Sequence, residues 1–160
     1  MMILAIDPGP VKSAWVLYNP DSPEPIVGMN IEENNALLRK LFEGEYDIFA
    51  DQIVIEMVAS YGMAVGASVF ETCVWVGRFA QLFYGLPVSM MYRKDVKMHL
   101  CQSMRAKDAN IRQALLDRLG PQGTKRQPGP TFGVSKDIWS ALAVAVTFAD
   151  THPKGGTDGR

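Results

Sequence analysis

Apolar and polar positions follow the pattern of β-strands in five short segments of the chain. The first three segments are separated only by brief links, one of which is the turn-forming stretch NPDSPEP. Links of that length join antiparallel neighbours, so these segments predict a three-stranded meander. The run QIVIEMV is dominated by β-branched residues and predicts a buried central strand. The strands are predicted at 2–7, 12–19, 25–31, 52–58 and 87–93.

Elsewhere the apolar residues recur every three or four positions, which is the period of an amphipathic helix. Gly44 and Gly120 are the expected ends of two helices, because glycine commonly terminates a helix. Ser135 is the expected N-cap of the last helix, which is almost wholly apolar. The segment 121–133 contains three prolines and three glycines and predicts irregular structure. The helices are predicted at 33–43, 67–84, 94–103, 108–119 and 136–149.

The order of the predicted elements is β-β-β-α-β-α-β-α-α-α. Helices that alternate with strands connect parallel neighbours through crossovers. We therefore expect an α/β fold in which a five-stranded mixed sheet, made of the antiparallel meander plus parallel strands, is flanked by helices. No repeat or linker interrupts the pattern, so residues 1–150 are expected to form a single domain. The polar, glycine-rich tail at 151–160 is expected to be flexible.

The composition is that of a compact domain, since 48% of the 160 residues are hydrophobic and 21% are charged. No apolar run approaches the roughly 18 residues of a membrane span, and the opening run MMILAI lacks the basic flank of a signal peptide. We therefore expect a cytoplasmic protein without a membrane partner. Cys73 and Cys101 have no paired spacing, which favours free thiols.

Charge is distributed unevenly although the net charge is only −1. Residues 21–56 hold nine acids against two bases, whereas residues 92–126 hold nine bases against three acids. The basic segment predicts a face that binds a polyanion such as nucleic acid, and a solvated helical surface is the alternative interpretation.

Three acidic residues stand where a charge is costly unless something compensates it. Asp7 ends the first strand before Pro-Gly-Pro, Glu56 interrupts the apolar central strand, and Asp137 lies in the first turn of the last helix. Taken singly, they are explained as a turn residue, a structural ion pair and a helix N-terminal acid.

The topology changes that interpretation. If the first strand lies beside the central one, Asp7 and Glu56 come close at the sheet edge, and the last helix can bring Asp137 over them. Two carboxylates about 5 Å apart repel by about 3 kcal/mol at an effective dielectric constant of about 20, so the group favours a bound cation. Oxygen-only ligands suit Mg²⁺ or Mn²⁺, and two such ions can hydrolyse a phosphodiester.

Four motifs in this order resemble the RuvC-like Holliday junction resolvases of the ribonuclease H-like superfamily, in particular the bacteriophage branch. They are IDPG in the first strand, VIE in the fourth, YRKDVK after the fifth and DIWSALAVAV in the last helix, and the resemblance spans about 2–150. It implies a ribonuclease H-like fold and a magnesium-dependent endonuclease that resolves four-way DNA junctions by paired symmetric hydrolysis, leaving 5′-phosphates. Mn²⁺ is expected to substitute for Mg²⁺, and no nucleotide cofactor is expected.

The resemblance also implies roles for individual residues. Asp7, Glu56 and Asp137 correspond to the metal-binding acids, and Lys97 to a basic residue that works near the scissile strand. The family has a second aspartate where this chain has Ser140, which leaves the number of metals open, with Glu71 as a candidate for a fourth oxygen. The residues expected to bind DNA, from the resemblance and the basic segment, are Arg93, Lys94, Lys97, Arg105, Lys107, Arg112 and Tyr61.

Two symmetric nicks imply a homodimer. The apolar helix at 67–84 offers Phe70, Val74 and Trp75 as an interface, and ordinary core packing is the alternative. Other functions also remain open at this point. One is a nuclease of the same fold that acts on flaps, forks or structured RNA, and another is a non-catalytic junction-binding protein. An actin-like or sugar-kinase-like nucleotide binder is disfavoured, because the chain has no room for a second lobe and no second phosphate loop.

Overall fold

The computed structural model describes residues 1–46 and 49–153. It contains one five-stranded sheet, whose strands follow the predicted segments closely. The strands are β1 (Ile3–Asp7), β2 (Lys12–Tyr18), β3 (Ile26–Glu33), β4 (Gln52–Met57) and β5 (Val88–Tyr92). The sheet order is β3-β2-β1-β4-β5, with β3, β2 and β1 antiparallel and β1, β4 and β5 parallel. The predicted mixed sheet is therefore confirmed.

The helices occur in the predicted order, and they are α1 (Asn34–Glu43), α2 (Ala67–Leu82), α3 (Arg93–Cys101), α4 (Asp108–Leu119) and α5 (Ile138–Thr151). The Glu33 side chain caps α1 by accepting a hydrogen bond from the Ala36 N–H, and Gly44 ends the helix in the left-handed region. Gly120 follows α4, as predicted.

The predicted start of the last helix was wrong. Ser135 is not its N-cap, because Lys136 has a left-handed backbone with φ 47° that interrupts the helical path. Asp137 takes the capping position instead, and α5 begins at Ile138. The Ser135 carbonyl accepts a hydrogen bond from the Ile138 N–H at 3.0 Å, so the residues before α5 form a turn.

Two hydrophobic cores lie on opposite faces of the sheet, because successive side chains of a strand point to opposite sides. Ile3 and Ala5 of β1 pack with α5, α3 and α4, whereas Leu4 and Ile6 pack with α1 and α2. The structure is therefore a helix–sheet–helix sandwich with β1 at its centre. The buried helix α5 crosses β1, β2 and β4.

The two faces of α2 differ in exposure. Val76 and Phe79 point into the core, while Phe70 and Val74 are 63% and 60% exposed. Trp75 is half-buried, with its ring 5.8 Å from that of Phe79.

The expected irregular segment 121–133 contains only an isolated bridge between Gly123 and Pro128. Within the described ranges, no helix is long and apolar enough to cross a bilayer. Residues 154–160 of the predicted tail lie outside the described residues.

Candidate active site

The site is built at the carboxyl ends of two adjacent parallel strands. Asp7 is the last residue of β1 and Glu56 lies one residue before the end of β4. Because Ile6 is paired with Ile55 in the ladder, Asp7 and Glu56 follow at the same level of the sheet. This juxtaposition is the one that the predicted topology implied.

The two carboxyl groups interact directly. Asp7 lies close enough to Glu56 for side-chain hydrogen bonding, which lowers the pKa of Glu56. Burial raises the pKa of Asp7 well above its usual range, and the negative charges of Glu56 and Asp137 raise it further. Burial also raises the pKa of Glu56. The pair therefore favours a proton or a cation between its members.

Ser140 belongs to the site, although it is not an acid. Its hydroxyl forms a hydrogen bond to Asp7 that lowers the pKa of that carboxyl group. Ser140 lies in the first turn of α5, so the start of this helix is close to the end of β1. The position expected to lack a metal ligand thus supplies a hydrogen-bond donor.

Arg93 supplies positive charge to the carboxylates. It is the first residue of α3 and follows β5, the strand next to β4. Its Nη1 lies 3.6 Å from Glu56 Oε2, and its Nη2 lies 2.5 Å from Asp108 Oδ1. Sequence reasoning had assigned Arg93 to DNA and had missed Asp108, since nothing local predicts a contact between residues on two helices.

Asp137 lies beside the pair at the exposed start of α5. Its side chain forms no capping hydrogen bond, and its charge acts on both Asp7 and Glu56. Next to it a cavity of about 420 Å³ opens between α3, α4 and α5. Residues lining this cavity include Arg93, Arg112, Lys136, Asp108, Asp137 and Trp139. The cavity thus combines basic side chains with an acid of the predicted site.

The fit of a divalent cation can be judged from the donor atoms. Among residues 1–46 and 49–153, no group of three or more His, Cys, Asp or Glu side chains is arranged to hold a metal ion. Asp7 and Glu56 nevertheless offer carboxylate oxygens side by side, and Glu56 Oε2 is buried without a hydrogen-bond partner in the described part of the chain. A buried carboxylate oxygen that accepts no hydrogen bond and lies beside a second carboxylate fits a hard cation, although the Arg93 guanidinium 3.6 Å away already supplies some positive charge. Glu71, the candidate for a fourth oxygen, is exposed on α2.

The predicted DNA-contacting side chains lie mainly on α3, α4 and the segment between them. Lys97 is half-buried, and Arg112 lies over the Trp139 ring at 5.2 Å and donates to Gln122 Oε1 at 3.0 Å. Tyr61 lies between β4 and α2, is 53% exposed and has a positive φ of 48°. The exposed bases of this group are Lys94, Arg105, Lys107 and Arg112.

Sequence reasoning missed two buried polar residues near the site, Ser13 and Asn34. Ser13 stands in a strand of otherwise apolar inward positions, which was the only indication of it in the sequence.

Comparison with known proteins supports the fold and gives no sequence-level family. No family model matches the chain, and no curated protein matches it in sequence. The RuvC structure of Thermus thermophilus is similar with a TM-score of 0.71 and 15% identity, covering 94% of this chain and 96% of that one. The same protein in complex with a Holliday junction substrate gives a TM-score of 0.73 and 14% identity, covering 93% of each chain.

A third similar structure is the fowlpox virus Holliday junction resolvase. Its TM-score is 0.59 at 12% identity, and the match covers 94% of this chain and 99% of that one. The similarity to these structures extends over nearly the whole length of each chain, including the five-stranded sheet of this protein. The chain therefore has the ribonuclease H-like fold of the RuvC-like Holliday junction resolvases.

Proposed function

We propose that this protein is a metal-dependent endonuclease that resolves four-way DNA junctions by symmetric phosphodiester hydrolysis. One observation carries the proposal: two largely buried carboxyl groups, Asp7 and Glu56, meet at the ends of adjacent strands in a fold similar to that of RuvC. The similarity to a structure that contains a Holliday junction substrate supports branched DNA as the partner.

The residues proposed to hold Mg²⁺, or Mn²⁺ in its place, are Asp7, Glu56 and Asp137. Divalent ions held there, two in this proposal, would lower the pKa of a water molecule and stabilise the charge that develops on the scissile phosphate. Because burial raises the pKa of both carboxyl groups, Asp7 and Glu56 would have to be deprotonated before they could act as ligands. The Ser140 hydroxyl lowers the pKa of Asp7 by side-chain hydrogen bonding and would thus favour the ionised form of this ligand.

The basic residues have a separate proposed role. Lys97 acts near the scissile strand. The Arg93 guanidinium, with Nη1 3.6 Å from Glu56 Oε2, partly compensates the negative charge of Glu56. Lys94, Arg105, Lys107 and Arg112 contact phosphates, and Tyr61 contacts bases near the crossover. These side chains do not form a set that could discriminate many base edges, so the junction would be selected by its shape and deformability.

Paired nicks require two sites related by two-fold symmetry, so we propose a homodimer. The exposed apolar residues Phe70 and Val74 of α2 support that helix as the interface. We further propose that residues 1–150 form one nuclease domain followed by a flexible tail. The protein would act in the cytoplasm, which is the host's if a bacteriophage encodes it.

Two other functions use the same fold. A nuclease for flaps, forks or structured RNA would need the same carboxylates, whereas a non-catalytic junction-binding protein would not. The paired carboxyl groups, with Glu56 Oε2 accepting no hydrogen bond in the described part of the chain, favour an enzyme over a binding protein.

The experiment offers end-labelled four-way junctions, flaps, forks, linear duplex and RNA–DNA hybrids to the 160-residue protein with Mg²⁺. The Asp7→Asn variant is the control, since it keeps the shape of the side chain and removes its charge. We expect paired symmetric nicks on the junction alone, and none from the variant. Equal cutting of flaps or duplex would reject junction resolution, and cutting that survives Asp7→Asn would reject the proposed metal site.

A further inference from the structure

Two fully buried polar side chains, those of Ser13 and Asn34, lie behind the turn that follows Asp7. The Ser13 hydroxyl donates to Asn34 Oδ1 at 2.6 Å, and Asn34 Nδ2 donates to the Gly9 carbonyl at 2.8 Å. The Gly9 N–H in turn points to Ser13 Oγ at 3.4 Å. These contacts close a ring, called here the Ser13–Asn34 clamp, between the β1–β2 turn and the first residue of α1.

Few other contacts hold the turn, and one of them is a backbone hydrogen bond from the Asn34 N–H to the Val11 carbonyl at 2.9 Å. Pro8 and Pro10 have no N–H to donate, and the regular ladder between β1 and β2 ends at the pair Asp7–Ala14. A Cβ placed on Gly9 would lie 2.4 Å from the Lys12 carbonyl oxygen, so the turn is tight and leaves no space for a side chain at this position.

We propose that Ser13 and Asn34 are positioning residues that hold the Asp7 carboxylate against Glu56 in the geometry that a divalent cation requires. This inference rests on the proposed function of the same site. Asp7 is joined to the clamp along the chain through Pro8 and Gly9, and across the ladder through Ala14, the neighbour of Ser13.

The physical need for such a device follows from the charges. Two adjacent buried carboxylates repel each other once both are ionised, and the backbone that carries them has to resist that force. Loss of a polar group that hydrogen-bonds a metal ligand typically costs about 10–100-fold in metal affinity or activity, and we expect a similar effect from the clamp, which acts on Asp7 through the backbone. The clamp fixes the Gly9 peptide two residues after the ligand, where a small rotation would move the Asp7 carboxylate.

A purely structural role of the clamp predicts a different result. Removing a buried hydroxyl that donates a hydrogen bond lowers the stability of any fold, wherever the hydroxyl lies. Thr131 provides the matched control, because it is also fully buried and its Oγ1 donates to the Gly120 carbonyl at 2.9 Å, in the turn after α4. Thr131→Val should destabilise the fold without affecting the carboxylate pair.

The test measures Mn²⁺ binding to the full-length protein by electron paramagnetic resonance, with no DNA present. Binding that Asp7→Asn abolishes is assigned to the site. We expect Ser13→Ala and Asn34→Ala to raise the Mn²⁺ dissociation constant about 10–100-fold, at a temperature where circular dichroism shows every variant folded. Thr131→Val should change it less than about twofold. In nicking assays at saturating metal, the clamp variants should lower kcat and leave KM for the junction nearly unchanged.

The outcomes separate this inference from the proposed function. Wild-type Mn²⁺ affinity in folded Ser13→Ala would overturn the clamp's positioning role even if the wild-type protein resolves junctions. If the wild type binds Mn²⁺ but cuts no branched DNA, the proposed function fails and the affinity ratio still decides the inference. If Asn34→Ala fails to fold, Ser13→Ala against Thr131→Val is the deciding comparison. A wild type that neither binds Mn²⁺ nor cuts DNA rejects both.

Discussion

The Arg93 guanidinium lies against the Glu56 carboxylate, with Nη1 3.6 Å from Oε2. Both atoms are buried, and in the described part of the chain neither has a hydrogen-bond partner. The contact is therefore electrostatic attraction without the fixed geometry of a hydrogen bond. It lowers the pKa of Glu56 and of Asp7, in opposition to the burial that raises both.

Arg93→Gln should shift the pH dependence of cleavage. Without the guanidinium charge the pKa values of Asp7 and Glu56 rise further, so the deprotonated form that binds metal appears at higher pH. A rise of one pKa unit lowers that form about tenfold on the acidic limb. We expect the acidic limb of the single-turnover nicking rate to move to higher pH. Arg39→Gln, at an exposed pair with Glu43, is the control, and an unmoved limb in Arg93→Gln would contradict this role.

Gly9→Ala and Gly77→Ala should act in opposite directions. A Cβ on Gly9 would lie 2.4 Å from the Lys12 carbonyl oxygen, so the turn after Asp7 has to shift. We expect a loss of more than about 1 kcal/mol of unfolding free energy together with a loss of nicking. A Cβ on Gly77 has no atom within 4 Å and lies in α2, so alanine there should add about 0.5–1 kcal/mol. Urea unfolding of both variants measures this difference, and equal effects would be inconsistent with a tight turn.

Asp150 should stabilise the fold in a pH-dependent manner. Its carboxylate pairs with Arg118 of α4, and its Oδ2 lies 2.6 Å from His99 Nε2 of α3, so it joins three helices. Burial raises the pKa of Asp150, but the hydrogen bonds from Arg118 and His99 outweigh that effect and lower it. The stabilisation is therefore complete above the unfolded value of about 3.9 and is lost as pH falls through the folded pKa.

Asp150→Asn should accordingly cost about 1–2 kcal/mol of unfolding free energy at neutral pH. The cost should shrink on acidification below about pH 4, which urea titrations at several pH values will measure. Glu43→Gln removes an exposed pair and should cost at most about 0.5 kcal/mol at any of these pH values. A cost at Asp150 that does not vary with pH would argue against a charge effect.

Val74→Glu should weaken the proposed dimer. Val74 is 60% exposed on α2, and a charge placed in an apolar interface has to be desolvated without a partner. We expect the dimer dissociation constant to rise at least about tenfold, which corresponds to 1.4 kcal/mol, as measured by analytical ultracentrifugation. Val27→Glu, at a position 53% exposed on β3, should leave association unchanged. If Val27→Glu dissociates the dimer and Val74→Glu does not, the interface lies at the β3 edge of the sheet.

Lys94→Gln should reduce the dependence of DNA binding on salt. Each phosphate contact that is lost lowers the slope of log K against log salt concentration by about one. The measurement uses Asp7→Asn protein and a fluorescent four-way junction between about 50 and 200 mM NaCl. Arg39→Gln should leave the slope unchanged, and the same slope for both variants would remove Lys94 from the proposed DNA surface.

Much of this fold follows from short-range patterns. The β-branched run at 52–58 predicted a buried strand, and the apolar segment at 136–149 predicted a helix. The structure has β4 and α5 at these positions. The proximity of Asp7 and Glu56 was predictable as well, because it requires only that β1 and β4 be adjacent and parallel. Topology determines that contact, and element order determines most of the topology.

The remaining contacts depend on packing that a linear pattern does not contain. The Ser13–Asn34 clamp joins residues 21 apart, and Arg93 meets Asp108 only after two helices have packed together. The sequence also left open which face of α2 is buried, since apolar residues surround much of the helix. Packing decides that Val76 faces inward and Val74 outward. Lys136 has a left-handed backbone and delays the start of α5, but it is not a glycine, so the sequence does not indicate this conformation.

The central position of β1 has a consequence for inactivation. Its alternate residues belong to the two hydrophobic cores, and its last residue is Asp7. A partly unfolded state that keeps only one of the helical layers would leave half of this strand's side chains in water. Heat or denaturant should therefore remove activity and tertiary structure in a single cooperative step, and residual nicking can be used to report how much of the protein is still native.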